Sequence, residues 1–207
     1  MFRKLTDGTF KIAEWFMHLA LVNFLWILFT VIGLGIFGWA PATTAAFGVI
    51  RKILISPDSD VPLFRTFLSI YKKDFIRANA LGIIILSGGI LLFLSSGIIN
   101  EMNNAFFIRI LLIGVAFVFG VIVMFSFPVF SHYRLTIRET FRHSFLIGLA
   151  NLHYFIVFVV ILAVLAVIYG TFPGFIIFYL VSIPIIIIMH FCLRIFDKIE
   201  KQTVKTE

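Results

Sequence analysis

Glu14 and His18 stand four residues apart in a run that is otherwise apolar from Ala13 to Trp39, apart from Asn23 and Thr30. Four residues is about one helical turn, so carboxylate and imidazole share a face and can exchange a hydrogen bond or a proton. An ionisable group at membrane depth is costly and is a functional candidate by default. The same pair also suits a structural hydrogen bond at a helix end. Asn23, Asn79, Asn151, His153 and His190 are further polar groups set among apolar residues. A second constellation is Arg134, Arg138 and Arg142, again four apart and flanked by His132 and His143. On one helix this spacing stacks three guanidinium groups on a single cytoplasmic face. Such a basic face serves as a topology signal, or as a contact for an acidic partner or a phosphate.

Neither constellation completes a catalytic set. The chain has no GxxxxGK loop, no HExxH pair and no GxSxG elbow. Two carboxylates do not converge, because only Glu14 lies in an apolar run. The single cysteine, Cys192, excludes an internal disulfide and any CxxC metal site. The expectation is therefore no enzyme, no catalytic residue, no cofactor and no metal.

The elements that carry these residues must be membrane helices. Of 207 residues, 61% are hydrophobic and 13% charged, against about 45–50% and about 25% in a soluble domain. Mean hydropathy is +1.11. A chain this short has no core large enough to hide that surplus, so the lipid bilayer is its solvent. The net charge of +7 comes without any nucleic-acid-binding motif, and the cations lie between apolar runs. Topology control and attraction to anionic lipid explain them, and nucleic acid is excluded as a partner.

The expected fold is all-α and polytopic: five long hydrophobic helices plus a short Pro/Ala/Thr-rich helix at 39–55. A span needs about 20 apolar residues, which places spans at 13–31, 39–55, 80–99, 106–130, 145–168 and 175–193. Pro41 falls in the first turn of the short helix, where its missing N–H costs nothing. Ala42, Ala45, Ala46 and Gly48 give that helix a small-residue surface for close packing. The first apolar run is too long for a signal peptide and reads as a retained anchor.

All Lys and Arg residues except Arg109 fall in four clusters: 3–11, 51–77, 134–142 and 194–205. Cytoplasmic segments carry the Lys/Arg excess, so an even number of crossings should separate successive clusters. This gives three hairpins in the cell membrane, six crossings, and cytoplasmic termini at 1–12 and 194–207. Five spans with an external N-terminus, or a half-deep re-entrant arm at 39–55, are the alternatives. Between the second and third spans, Phe64, Phe67, Leu68, Tyr71 and Phe75 alternate with cations. That pattern predicts an amphipathic helix at 62–78 lying along the cytoplasmic surface.

The stretch "FGWAPATTAAFGVIRK" after the first apolar run, then "LFRTFLSIYKKDFIRANALG", then two apolar hairpins, resembles the YesL-like family of bacterial integral membrane proteins. That family is defined as a domain of unknown function, and no catalytic residue is carried over from it. Its members tend to be encoded beside carbohydrate ABC transporters and polysaccharide-degradation genes, including those for rhamnogalacturonan. The resemblance implies a role accessory to carbohydrate uptake or plant cell-wall polysaccharide use, with an ABC transporter or other membrane protein as partner. An autonomous small-solute transporter or channel is the alternative. Pro128 and Pro184 within spans, and polar groups that could line a path, favour it.

Overall fold

The short helix that looked like the weakest span is the centre of the molecule. In the computed structural model, which describes residues 2–56, 61–101 and 106–204, every regular element is an α-helix. In chain order these are α1 (Phe2–Ile32), α2 (Trp39–Ile55), α3 (Leu63–Asn100), α4 (Phe106–His132), α5 (Ile137–Ala150), α6 (Leu152–Thr171), α7 (Gly174–Tyr179) and α8 (Ser182–Val204). Asp58, residues 102–105 and Lys205 fall outside the described residues, as do the side chains of Arg3, Lys4 and Lys11. Among the described residues, four segments are long and apolar enough to cross a bilayer: Ala13–Ile32, Leu63–Ile99, Phe106–His132 and Leu152–Thr171.

Helix α2 packs against α1, α3, α4 and α8 at once. Its alanines and Gly48 are buried, together with Phe47, Val49 and Ile50. Small residues are what allow this close approach. A Cβ placed on Gly82 of α3 would lie 2.5 Å from Ala40, and one on Gly48 would lie 2.7 Å from Ile70. Thus α2 runs antiparallel beside the first half of α3. On its other side Trp39 and Phe47 contact Phe127 of α4, with ring centroids 5.7 and 6.3 Å apart.

These contacts define the arrangement of the first two helices. The turn between α1 and α2 uses a left-handed Leu34 (φ 59°) and Gly35 (φ 74°), and Gly33 packs directly on Gly38. This turn sits beside Tyr71, whose hydroxyl donates to the Phe29 carbonyl at 3.1 Å. The next residues of α2 reach Gly82. From Gly82, α3 continues to Asn100, about 27 Å further at ~1.5 Å per residue. The turn therefore lies near the middle of α3, between Tyr71 and Gly82, and far from the α3–α4 connection. The helices expected at 13–31 and 39–55 are both present as α1 and α2, joined by this turn, with α2 lying against the first half of α3. Further back along its length α1 meets the α7–α8 junction through Phe16 and Asn23, opposite the end of α8 that carries Glu200.

Three boundaries differ from expectation. The amphipathic segment at 62–78 is no separate surface helix; it is the start of the unbroken α3. The expected span at 145–168 is divided at Asn151, between α5 and α6. The expected span at 175–193 is divided at Leu180–Val181, between α7 and α8. Beyond Gly88, α3 and the facing part of α4 expose most of their large apolar side chains, including Leu91, Phe93, Phe107 and Leu111.

Candidate functional site: a clamped helix break and a tied basic end

The break between α7 and α8 has a cause in the sequence. Pro184 lacks an N–H, and within a helix its ring collides with the carbonyl four residues earlier, that of Leu180. A helix can therefore begin at Ser182, whereas one running through from Tyr179 would be kinked or broken here. Breaking the ladder frees backbone groups at membrane depth, where each unsatisfied group costs several kcal/mol.

Asn23 supplies the missing partners. Its Oδ1 accepts from the Val181 N–H at 2.9 Å, and its Nδ2 donates to the Ile177 carbonyl at 2.8 Å. The side chain is fully buried. From α6, the Tyr169 hydroxyl donates to the Tyr179 carbonyl at 2.8 Å. One amide and one phenol thus hold both halves of the broken helix. The clamp is neutral, so it positions backbone and does no acid–base work. The Ser182 hydroxyl is buried at the same junction without a hydrogen-bond partner among the described residues.

The other polar candidates do not converge there. Glu14 is exposed and His18 half-buried, and among the described residues no hydrogen bond or ion pair joins them. Asn79 and Asn151 bond one turn back on their own helices, to Phe75 and Ile147 carbonyls at 3.0 and 2.9 Å. His153 and His190 are exposed beside Tyr154 and Phe191.

A second polar assembly ties the basic end together. The last carbonyls of a helix lack intrahelical partners and carry the negative end of its dipole, so cations suit them. The Arg51 guanidinium, from α2, donates to the His132 carbonyl at the end of α4 at 3.2 Å. Arg77, from α3, donates to the Leu135 carbonyl and lies 5.4 Å over the Phe130 ring. His132 Nε2 meets a Glu200 carboxylate oxygen of α8 at 3.3 Å, and its ring packs on Tyr133 and Phe196, each 4.6 Å away. Burial raises the Tyr133 hydroxyl above its ordinary pKa, and the Glu200 and Asp197 carboxylates add to that by disfavouring a phenolate.

The three arginines of the expected stripe are exposed but do not share a helix face. Arg134 precedes α5, whereas Arg138 and Arg142 lie on it one turn apart. The reason is the capping box "TIRE" at 136–139, which starts α5 at Ile137. The Thr136 N–H and hydroxyl donate to a Glu139 carboxylate oxygen at 2.9 and 2.8 Å. Those two bonds hold the Glu139 carboxyl below the usual glutamate range. This S/T-x-x-E signal was readable in the sequence. The tie between Arg51 and His132, 81 positions apart, was not.

Long apolar helices, a broken helix satisfied by an internal amide, and cations gathered at one end define a multi-pass α-helical membrane protein. The chain belongs to the family described as "Protein of unknown function, DUF624", whose model matches residues 19–96. Its relatives include three proteins of Bacillus subtilis (strain 168). It is 36% identical over 204 residues to "Uncharacterized protein YesV", covering 95% of each chain. It is 33% identical over 151 residues to "Uncharacterized protein YesL", covering 73% of this chain and 71% of the other. With "Uncharacterized protein YteU" it shares 32% identity over 176 residues, covering 84% and 78%. No solved structure matches the chain.

Proposed function

We propose that the chain is a non-enzymatic accessory protein of the cell membrane, whose basic end faces the cytoplasm and receives a partner membrane protein. The process it serves is carbohydrate uptake or the use of plant cell-wall polysaccharide of the rhamnogalacturonan type. The partner best fitting that process is a carbohydrate ABC transporter. One observation carries the reading. The arginine-to-carbonyl bonds of Arg51 and Arg77 tie the end of α2 to the end of α4, and α3 to the α4–α5 connection. Lys52, Arg65, Lys72, Lys73, Arg138 and Arg142 meanwhile stay exposed around them. A rigid cationic platform of this kind suits docking, since positions fixed in advance lower the ordering cost of binding. The carbohydrate context is supported by the family resemblance alone.

In this reading α1, α3, α4, α5–α6 and α7–α8 make five crossings, and α2 is a buried arm of the cytoplasmic end. Deleting the gene and measuring growth on oligosaccharides from pectic polysaccharides tests the role. Impaired growth restored by the wild-type gene is expected, and unimpaired growth on every such substrate contradicts it.

A second reading, a small-solute transporter, is favoured by the α7–α8 break, because discontinuous helices at membrane depth build binding sites in transporters. Purified protein in liposomes that moves sugars, ions or protons would support it. If Asn23→Leu abolished that flux, the break would be its site.

A further inference from the structure

The continuity of α3 decides where its cations sit. The helix has 38 residues, about 57 Å at ~1.5 Å per residue. The hydrocarbon core of a bilayer is about 30 Å thick, and about 40–45 Å with headgroups. The apolar stretch from Ala78 onward takes up about 34 Å of helix, enough for the hydrocarbon at a modest tilt. About 22 Å, from Leu63 to Arg77, is left over. A headgroup layer on one side is only about 6–7 Å deep. Leu63–Arg77 therefore projects from the membrane; it does not lie on the surface as an amphipathic anchor would.

One face of the projecting segment is spent on packing: Leu63, Thr66, Phe67 and Tyr71 are buried. The other face carries Arg65, Ser69, Lys72, Lys73 and Ile76, all exposed, with Ile76 at 81%. Spacings of four, three and four residues put Arg65, Ser69, Lys72 and Ile76 on a single stripe. Asp74 is the only acid in this stretch, and it is turned towards Arg77 at 3.9 Å. The exposed face thus carries three cations, Arg65, Lys72 and Lys73, and no acid, with one large apolar side chain, Ile76, at its membrane end.

We propose that the ridge Arg65–Ser69–Lys72–Lys73–Ile76 docks an acidic amphipathic helix of a partner protein. This names the chemistry of the partner and rests on the docking reading above. Three cations select carboxylates by charge complementarity. Ile76 adds an apolar contact at one end, which fixes the direction of the bound helix. Anionic lipid is the competing occupant. Lys72 and Lys73 stand about 8–9 Å along the helix from Ala78, near the headgroups. Ser69 and Arg65 stand about 14–20 Å out, so lipid can cover only part of the ridge.

The test uses the full chain in lipid nanodiscs and a synthetic helical peptide rich in Glu and Leu. A matched peptide with Gln in place of Glu is the control. Saturable binding in nanodiscs of neutral lipid is expected. Charge reversal by R65E, K72E and K73E together should weaken it about tenfold or more, equivalent to about 1.4 kcal/mol. Ile76→Ser should weaken it about threefold. Equal binding by the triple variant, or by the Gln peptide, would overturn the proposal. A spin label at Ser69→Cys keeps the answer independent of peptide choice. The label should stay water-accessible whether or not phosphatidylglycerol is present. Immersion that deepens with phosphatidylglycerol would make lipid the occupant and the proposal wrong. Growth on oligosaccharides separates the two levels. Normal growth of the triple variant beside lost peptide binding contradicts the accessory role and leaves the surface standing.

Discussion

The two halves of the long helices live under different physics. Around α2, at the basic end, Ala45, Ala46, Phe67, Val129, Met189 and Phe196 are wholly buried. Toward the α3–α4 connection, Leu91, Phe93, Leu94, Phe106, Phe107 and Leu111 are exposed. Large apolar side chains occur in both places. What differs is the solvent. In hydrocarbon, apolar side chains gain little by meeting each other instead of lipid, so distal helices have no strong reason to pack. Near the membrane boundary water is the alternative neighbour, and burial is driven as in a soluble protein. The specific fold is therefore concentrated where the chain approaches water.

The largest test of this contrast lies where the two regions meet. Asn23→Leu removes both partners of the clamp and strands the Val181 N–H and the Ile177 carbonyl in apolar surroundings. At about 1–3 kcal/mol for each stranded group, a loss of about 4 kcal/mol is expected in an unfolding titration in mixed micelles. Pro184→Ala in that background should recover part of the loss, since it permits a continuous helix. Recovery of nothing would mean that the proline is not what breaks the helix.

A paired substitution comes next. Gly82→Leu drives a side chain into Ala40 and Trp39 and should cost about 3 kcal/mol, the upper part of the overpacking range. Gly97→Leu, with nothing within 4 Å of its added Cβ, should change stability by about 0.5 kcal/mol or less. Equal costs at the two glycines would erase the distinction between the halves. Smaller again is Arg51→Met, which removes the bond to the His132 carbonyl. About 1 kcal/mol is expected for this half-buried contact, read by the same titration.

The smallest effect is one of pH at the start of α5. Hydrogen bonds from Thr136 lower the Glu139 carboxyl, so the folded state favours its ionised form. That contribution is complete above the ordinary glutamate pKa and is lost as pH falls through the lowered folded value. Protection of the Ile137–Thr140 amides, measured against their intrinsic exchange rates at each pH, should therefore fall on acidification, and Glu139→Gln should flatten the dependence. Protection that rises in acid would contradict the assigned direction.

Much of this was legible beforehand. Apolar runs longer than 20 residues cannot hide in so small a chain, which made the membrane fold plain. Pro184 marked a span worth suspecting, and "TIRE" marked the start of α5. The depth of α2 was hidden because a helix of Ala, Thr, Gly and Val reads alike whether lipid or protein covers it. Counting cations by cluster then favoured hairpins over a buried arm. The clamp was hidden because Asn23 reaches groups more than 150 positions away, and the freed groups are backbone, which has no letter in the sequence. Glu14 and His18 had the right spacing; the environment that would bring them into contact is absent from the described packing.

The central claim is that α2 packs along the first half of α3 with its Arg51 end at the basic end, and that the turn before it stops near the middle of α3, short of the distal end. Labelling of Ile36→Cys, which is exposed in the turn, with a membrane-impermeant maleimide tests it most directly. The native Cys192 is buried and stays silent. In right-side-out and inverted vesicles, Ile36→Cys should react from the same side as Lys198→Cys. Reaction from the side that exposes Glu101→Cys would place the turn at the distal end and contradict the account.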